Sequence, residues 1–272
     1  MTTWLITGAS SGLGRALAAH VLASGHEVVA TARDTSAIDD LKAAYPETAM
    51  AVPLDVTDTS SVHAAVEAAE ERFSGIDVLV NNAGYGYTAA VEEGEDEAVS
   101  RLFATNFFGP VALIKAALPG MRHRGHGLIV NISSVGARIT IPGGGYYSAA
   151  KAALEGLSGS LRKEVEPLGL RVMVVEPGSF RTDFRGRSAD RSGIRIDAYD
   201  EVLGRAGSSA LGPQRGAPDK AAAAILRAAE AAEPPKLLLL GSDALDGFHA
   251  AAADAAHDVG RFEQLSRSTD AS

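Results

Sequence analysis

At 272 residues, with 46% hydrophobic side chains and 29 glycines, the chain suits one large α/β domain with a substantial core and many tight turns. A net charge of −9, with no Lys/Arg-rich run, argues against a nucleic-acid-binding surface. The lack of cysteine excludes disulfides, thiolate metal ligands and a cysteine nucleophile, and no metal site is expected.

Met1-Thr2-Thr3 leads at once into Trp4-Leu5-Ile6-Thr7, too short for a signal-peptide core, and Leu237 to Leu240 is too short to span a bilayer. The expectation is a cytoplasmic protein with no membrane partner. Trp4 to Thr7 is an apolar run ending in Gly8-Ala9-Ser10-Ser11-Gly12-Leu13-Gly14, after which Leu13, Leu17 and Val21 recur at helical spacing as far as Gly25. Glycines there permit a sharp turn and let a pyrophosphate approach a helix N-terminus, whose free N–H groups and dipole favour an anion. A second strand, Glu27 to Thr31, follows at the distance a βαβ unit needs, so a bound dinucleotide is expected. The pattern Gly-x-x-x-Gly-x-Gly lacks the Gly-Lys-Ser/Thr of a nucleotide triphosphatase.

The end of that second strand bears on which dinucleotide. Ala32 stands where a carboxylate would bond a ribose diol, and Arg33 beside it can pair with a 2′-phosphate. NADP(H) is therefore preferred, with NAD(H) possible; Asp34, if it turned inward, would oppose this. Thr35 to Tyr45 reads as a helix and Ala49 to Leu54 as a strand closed by Asp55-Val56-Thr57-Asp58, in which Thr57 or Asp58 can cap the next helix. Ile76 to Val80 is a fourth strand, running into Asn81-Asn82-Ala83-Gly84, small side chains against which a cofactor can lie.

Asp96 to Met121 is long, apolar and helical, with a distortion expected near Asn106 and Pro110 because asparagine is a poor helix former and proline removes a hydrogen bond. Leu128 to Ile132 is the fifth strand, ending in Ser133-Ser134. Tyr147 to Val165 is a helix on which Tyr147 and Lys151, four apart, share a face. A cation so placed should stabilise the phenolate and bring Tyr147 into working range for proton transfer. Leu170 to Val175 is the sixth strand, ending at Pro177-Gly178. The segment 180–216, with seven arginines and no lysine, lacks clear periodicity and reads as a mobile loop over a site. Ala217 to Ala232 and Leu245 to Leu265 read as helices around a strand at Lys236 to Leu240. The alternation of strand and helix predicts one α/β domain over residues 1–272, a doubly wound parallel sheet of the Rossmann type with about seven strands.

The ordered set Thr7-Gly8-x-x-x-Gly12-x-Gly14, Asn81-Asn82-Ala83-Gly84, Asn106, Ser134, Tyr147-x-x-x-Lys151 and Pro177-Gly178 resembles the compact single-domain branch of the short-chain dehydrogenase/reductase family over about residues 3–245. The resemblance implies that Tyr147 is the general acid-base, that Ser134 holds the substrate oxygen, that Lys151 bonds the nicotinamide ribose, and that Asn106 binds a proton-relaying water. It prefers Ser134 to Ser133 and Tyr147 to Tyr146. It further implies cofactor contacts at Gly8, Ser10, Ser11, Gly12, Leu13, Gly14, Arg33, Asp55, Val56, Asn82, Ala83, Gly84, Pro177, Gly178 and Thr182, and a substrate loop at about 180–216. The activity implied is that of an NADP(H)-dependent alcohol dehydrogenase or carbonyl reductase interconverting a small-molecule carbonyl and a secondary alcohol. Tyr85, Tyr87, Phe180 and Phe184 lie near site motifs and favour a lipophilic or aromatic substrate. The alternative is a non-catalytic NADP(H)-binding or redox-sensing protein of the same fold; epimerisation or dehydration is disfavoured by the glycine pattern. A homodimer or homotetramer through the 96–121 and 147–165 helices is expected by the same resemblance.

Overall fold

The computed structural model describes residues 1–181, 189–208 and 214–271. Its first strand, β1 (Thr3–Ile6), shows in four residues how the core is divided. Side chains alternate across a strand, so Trp4 and Ile6 enter one apolar cluster and Leu5 the other. The same two-sided burial holds for β2 (Glu27–Ala32), β3 (Ala49–Pro53), β4 (Val78–Asn81), β6 (Gly127–Ile132) and β7 (Leu170–Pro177), which with the edge strand β9 (Leu237–Leu240) form one sheet. The order is β3-β2-β1-β4-β6-β7-β9 and every described pair is parallel. Parallel strands need crossover helices, which is why both faces are covered and the strands read as continuous apolar runs.

On the Trp4 side lie α1 (Gly12–Ala23) and α8 (Pro218–Ala229), through Leu17, Val21, Ala222 and Ile225. On the Leu5 side lie α3 (Thr59–Phe73), α5 (Gly109–Arg124) and α6 (Gly145–Val165), through Val62, Val66, Leu113, Met121 and Leu161. The strand order reverses between β1 and β4, so the crevice beyond their C-terminal ends is where such a sheet takes its ligand. The remaining elements are α2 (Asp39–Ala44), a two-stranded sheet of β5 (Gly86–Thr88) with β8 (Ala189–Arg191), α4 (Asp96–Phe103), α7 (Asp200–Ser208), α9 (Ser242–Arg261) and α10 (Glu263–Arg267).

Three sequence expectations about helices are refined. The 35–45 helix is a 3-10 turn, Thr35–Ile38, followed by α2; Asp34 caps the turn by accepting from the Ser36 N–H. The 96–121 helix is α4 and α5 joined by one π-helical turn, Ala104–Phe108. Pro110 has no N–H to offer the Asn106 carbonyl four residues back, so the chain widens there. Residues 96–124 are together long and apolar enough to cross a membrane, but in this fold Leu113, Ile114, Ala117 and Met121 are a stripe packed on the sheet. The last helix breaks at Phe262.

The described residues of the segment 180–216 carry more secondary structure than its composition suggests. β8 pairs with β5, the Ile196 N–H donates to the buried Glu93 carboxylate at 2.8 Å, and α7 starts on Asp200 and Glu201, which favour a helix N-terminus. Its two ends are clamped together: the Arg181 N–H donates to the Gly216 carbonyl and the Gly216 N–H to that of Ser179, both at 3.0 Å.

Candidate active site

The turn between β1 and α1 is held from below by Thr7 and from the side by Asn82. The Thr7 hydroxyl accepts from the main-chain N–H groups of Asn82 and Ala83, both at 2.9 Å, and the Asn82 side chain donates to the carbonyls of Thr7 and Gly8. Gly8 turns at φ +67, in the left-handed region that side chains resist. A Cβ on Gly14 would lie 2.3 Å from the Asn82 amide nitrogen and 2.5 Å from the Gly8 carbonyl oxygen, so only glycine lets α1 start this close to β4. Ser10 and Ser11 are exposed on the turn, and Ser11 makes no side-chain cap, leaving the first N–H groups of α1 for an incoming anion. Gly12 and Leu13 begin that helix, both half-buried.

At the end of β2 the Arg33 side chain is exposed and forms no ion pair among the described residues. Asp34 is engaged as the cap of the 3-10 turn, its carboxylate accepting from the Ser36 N–H. Asp55 accepts from the Thr57 N–H and hydroxyl, Asp58 caps α3 at the Ser60 N–H, and Val56 packs against Gly109. Gly84 faces the proton-transfer residues: a Cβ there would stand 3.0 Å from the Asn106 side-chain oxygen and 3.5 Å from the Lys151 ammonium. Pro177 and Gly178 end β7; the Gly178 N–H bonds the Leu240 carbonyl and a Cβ on Gly178 would strike Asp243. Thr182 and Phe184 lie outside the described residues. This cradle of small residues and free helical N–H groups fits a dinucleotide.

The structure brings Ser134, Tyr147, Lys151 and Asn106 to one place. The Ser134 hydroxyl accepts from the Gly136 N–H at 3.0 Å and is hydrogen-bonded to Tyr147. Ser133, by contrast, donates to Glu155 at 2.6 Å. Tyr146 points elsewhere, its hydroxyl donating to the Val91 carbonyl. Lys151 is 5% exposed, donates to the Ile132 carbonyl at 2.9 Å, and lies 5.9 Å from the centre of the Tyr147 ring. Asn106 is fully buried and exchanges two hydrogen bonds with the Tyr85 main chain, accepting from its N–H at 3.1 Å and donating to its carbonyl at 2.8 Å. The water expected at Asn106 would have to use its remaining groups, among them the carbonyl that Pro110 cannot serve.

One expectation is corrected. Burial pushes the Tyr147 phenol up to about 12, opposed by the Ser134 hydrogen bond, although part of the ring reaches solvent. Lys151 does not win, because burial also drives its own ammonium down to about 8, with the Glu155 carboxylate opposing. At neutral pH the pair is therefore a phenol beside an ammonium, set to donate a proton. Two of the four aromatics also prove to be packing. Tyr87 is 2% exposed, with its hydroxyl accepting from the Glu95 N–H, and Phe180 lies on the Trp4-side core. Tyr85 remains beside Asn106, half-buried, its phenol raised by burial.

Sequence reasoning missed Glu155, Arg138, Glu176 and Asp243. Asp243, at the start of α9, accepts from the Ser179 N–H at 2.7 Å and so braces the turn after Pro177-Gly178. No motif marks it, since the contact spans 64 residues of chain. Glu155 could have been found, because it repeats the four-residue step from Tyr147 to Lys151 once more.

A family model described as short chain dehydrogenase matches residues 2–192. A 3-ketodihydrosphingosine reductase from Bacteroides thetaiotaomicron is 42% identical over 201 residues, covering 73% of this chain and 72% of that protein. A short-chain dehydrogenase from Streptomyces avermitilis superposes with a TM-score of 0.93 at 44% identity, over 99% of this chain and 100% of the other. A second solved structure, a short chain dehydrogenase from Burkholderia cenocepacia in complex with NADP, gives a TM-score of 0.76 at 27% identity over 96% of each chain.

Proposed function

Because the chain belongs to the short-chain dehydrogenase family of oxidoreductases, we propose that it interconverts a carbonyl and a secondary alcohol with NADP(H), acting on a lipophilic or aromatic substrate. The observation that carries this reading is the Ser134–Tyr147 hydrogen bond with the Lys151 ammonium beside it, behind a glycine turn shaped for a dinucleotide. NADP(H), when bound, supplies or receives the hydride. Ser134 and Tyr147 are the donors for the carbonyl oxygen, on which negative charge develops as the carbon is reduced. Tyr147, held as a phenol, gives that oxygen its proton, and Lys151 stabilises the phenolate left behind. Asn106 ties the π turn to the loop after β4 and places its carbonyl toward a water that returns the proton from solvent.

NADP(H) is favoured over NAD(H) because Arg33, exposed and without an ion pair among the described residues, can meet a 2′-phosphate, while Asp34 is engaged in its cap. The preference for a lipophilic substrate rests on Tyr85 beside the site and on the relative named for a keto lipid. The enzyme works in the cytoplasm, as a homodimer or homotetramer, without nucleic-acid or membrane partners. The test is a steady-state screen of carbonyls and alcohols with NADP(H) and NAD(H) in parallel. NADPH should be used better than NADH, and Arg33→Ala should raise KM for NADPH roughly tenfold while leaving NADH unchanged, as loss of about one ion pair with a phosphate predicts. Better use of NADH by the wild type would overturn the cofactor assignment.

A further inference from the structure

Next to Ser134 and Lys151, five segments meet in one ion cluster. Glu155, one helical turn beyond Lys151 on α6, accepts from the Ser133 hydroxyl at 2.6 Å through one oxygen and from Arg138 at 3.0 Å through the other. Arg138, which follows the 3-10 turn after Ser134, also donates through Nε to both oxygens of Glu176 on β7, at 2.8 and 3.0 Å. Its guanidinium lies 5.1 Å over the ring of Phe248 on α9. The Glu176 side chain is fully buried and that of Glu155 only 14% exposed. Lys151 and Glu155 thus grip consecutive residues of one strand end: the ammonium holds the Ile132 carbonyl and the carboxylate holds the Ser133 hydroxyl. Ser134 is the next residue.

We propose that Glu155 is a positioning residue of the site, whose carboxylate keeps the Lys151 ammonium charged and, through Ser133, fixes the strand end that presents Ser134, with Arg138 and Glu176 holding it in place. The proposal rests on the roles given above to Tyr147 and Lys151. Burial drives Lys151 toward neutrality and Glu155 is the charge that opposes it. Glu176 is pushed up to about 7, by burial first and the Glu155 charge second, with Arg138 opposing. Among the described residues, the other charged groups facing this cluster are Arg162 on α6, engaged with the carbonyls of Val172 and Lys236, and Lys236 itself before β9. Both Glu155 oxygens are already partnered, which leaves it no lone role as a proton acceptor for substrate.

A merely structural ion cluster would affect folding alone, whereas the positioning role changes a titration. The chain has six lysines, so 13Cε-lysine NMR on the full chain can follow Lys151 by itself, with Lys151→Met supplying the assignment. In Glu155→Gln the Lys151 midpoint should fall by about one pH unit, and the alkaline limb of NADPH binding should fall with it, as removal of an adjacent opposite charge predicts. Glu155→Asp should restore most of both. If Glu155→Gln does not fold, the double variant Glu155→Gln/Arg138→Met, which leaves no arginine unpaired, is read in the same way. An unchanged Lys151 midpoint and an unchanged alkaline limb in the folded variant would overturn the proposal. Failure of the wild type to bind NADPH at any pH would instead overturn the functional reading, and the NMR midpoint would still judge Glu155 separately.

Discussion

Lys151 holds an ammonium almost entirely out of water against one main-chain carbonyl, and the fold bears the cost of keeping it charged. Its folded-state value is lowered to about 8 from an ordinary 10.5, so its contribution to stability is fully present above pH 10.5 and is lost as pH falls through 8. At pH 7 the loss is on the order of 3 kcal/mol. Lys151→Met should therefore raise the thermal midpoint at pH 7, by an amount that shrinks toward pH 10, while NADPH binding is lost; melting curves across that range check it, and a lower midpoint at pH 7 would contradict it. The Tyr147–Lys151 spacing was legible in the sequence as a shared helix face. The direction in which Tyr147 shifts was not, because it depends on how much water the fold removes from both groups, and burial is a property of packing. Ser133 and Ser134 were separable in the sequence only through the family resemblance; the structure separates them physically, one bonded to Glu155 and the other to Tyr147.

The elements that build the crevice are β1, the glycine turn and the π turn at residues 104–108. The turn works because Asn82, at the end of β4, reaches across to the carbonyls of Thr7 and Gly8, and a Cβ on Gly14 would occupy the space of that amide. The Gly8 carbonyl oxygen cannot yield, being backbone. Gly14→Ala should destabilise the fold by about 1–3 kcal/mol, as overpacking does. It should also weaken NADPH binding more than tenfold, because the helix start would shift away from β4; fluorescence titration with NADPH and a denaturant melt measure the two together. Near-normal affinity in this variant would contradict the crowding argument. The glycines, their strand and their helix were legible from periodicity and spacing. Asn82 as the brace was not, since sequence marks it only as a small polar residue. The distortion near Asn106 was legible from Pro110, but the two bonds from Asn106 to the main chain of Tyr85, 21 residues away, were not.

Over the whole molecule, the strand order explains why residues from four strand ends converge. β1, β4, β6 and β7 are neighbours, so Gly8, Asn82, Ser134 and Gly178 come from adjacent positions on one rim, although they are spread across 170 residues of sequence. Alternating strands and helices made this arrangement legible, because parallel sheets with right-handed crossovers leave few topologies. The segment 180–216 was read less well, since β8, the clamp at Phe180 and Gly216 and the Glu93 contact are all long-range pairings with no local period. The central claim is that Tyr147 donates the proton that accompanies hydride transfer. The most direct test is NADPH-dependent reduction of a panel of lipophilic and aromatic ketones by the wild type and by Tyr147→Phe, with NADPH affinity measured alongside. The account predicts turnover by the wild type, a kcat lowered roughly 100- to 10,000-fold in the variant, and an NADPH affinity largely kept; a Tyr147→Phe protein that turns over at a near-normal rate would contradict it.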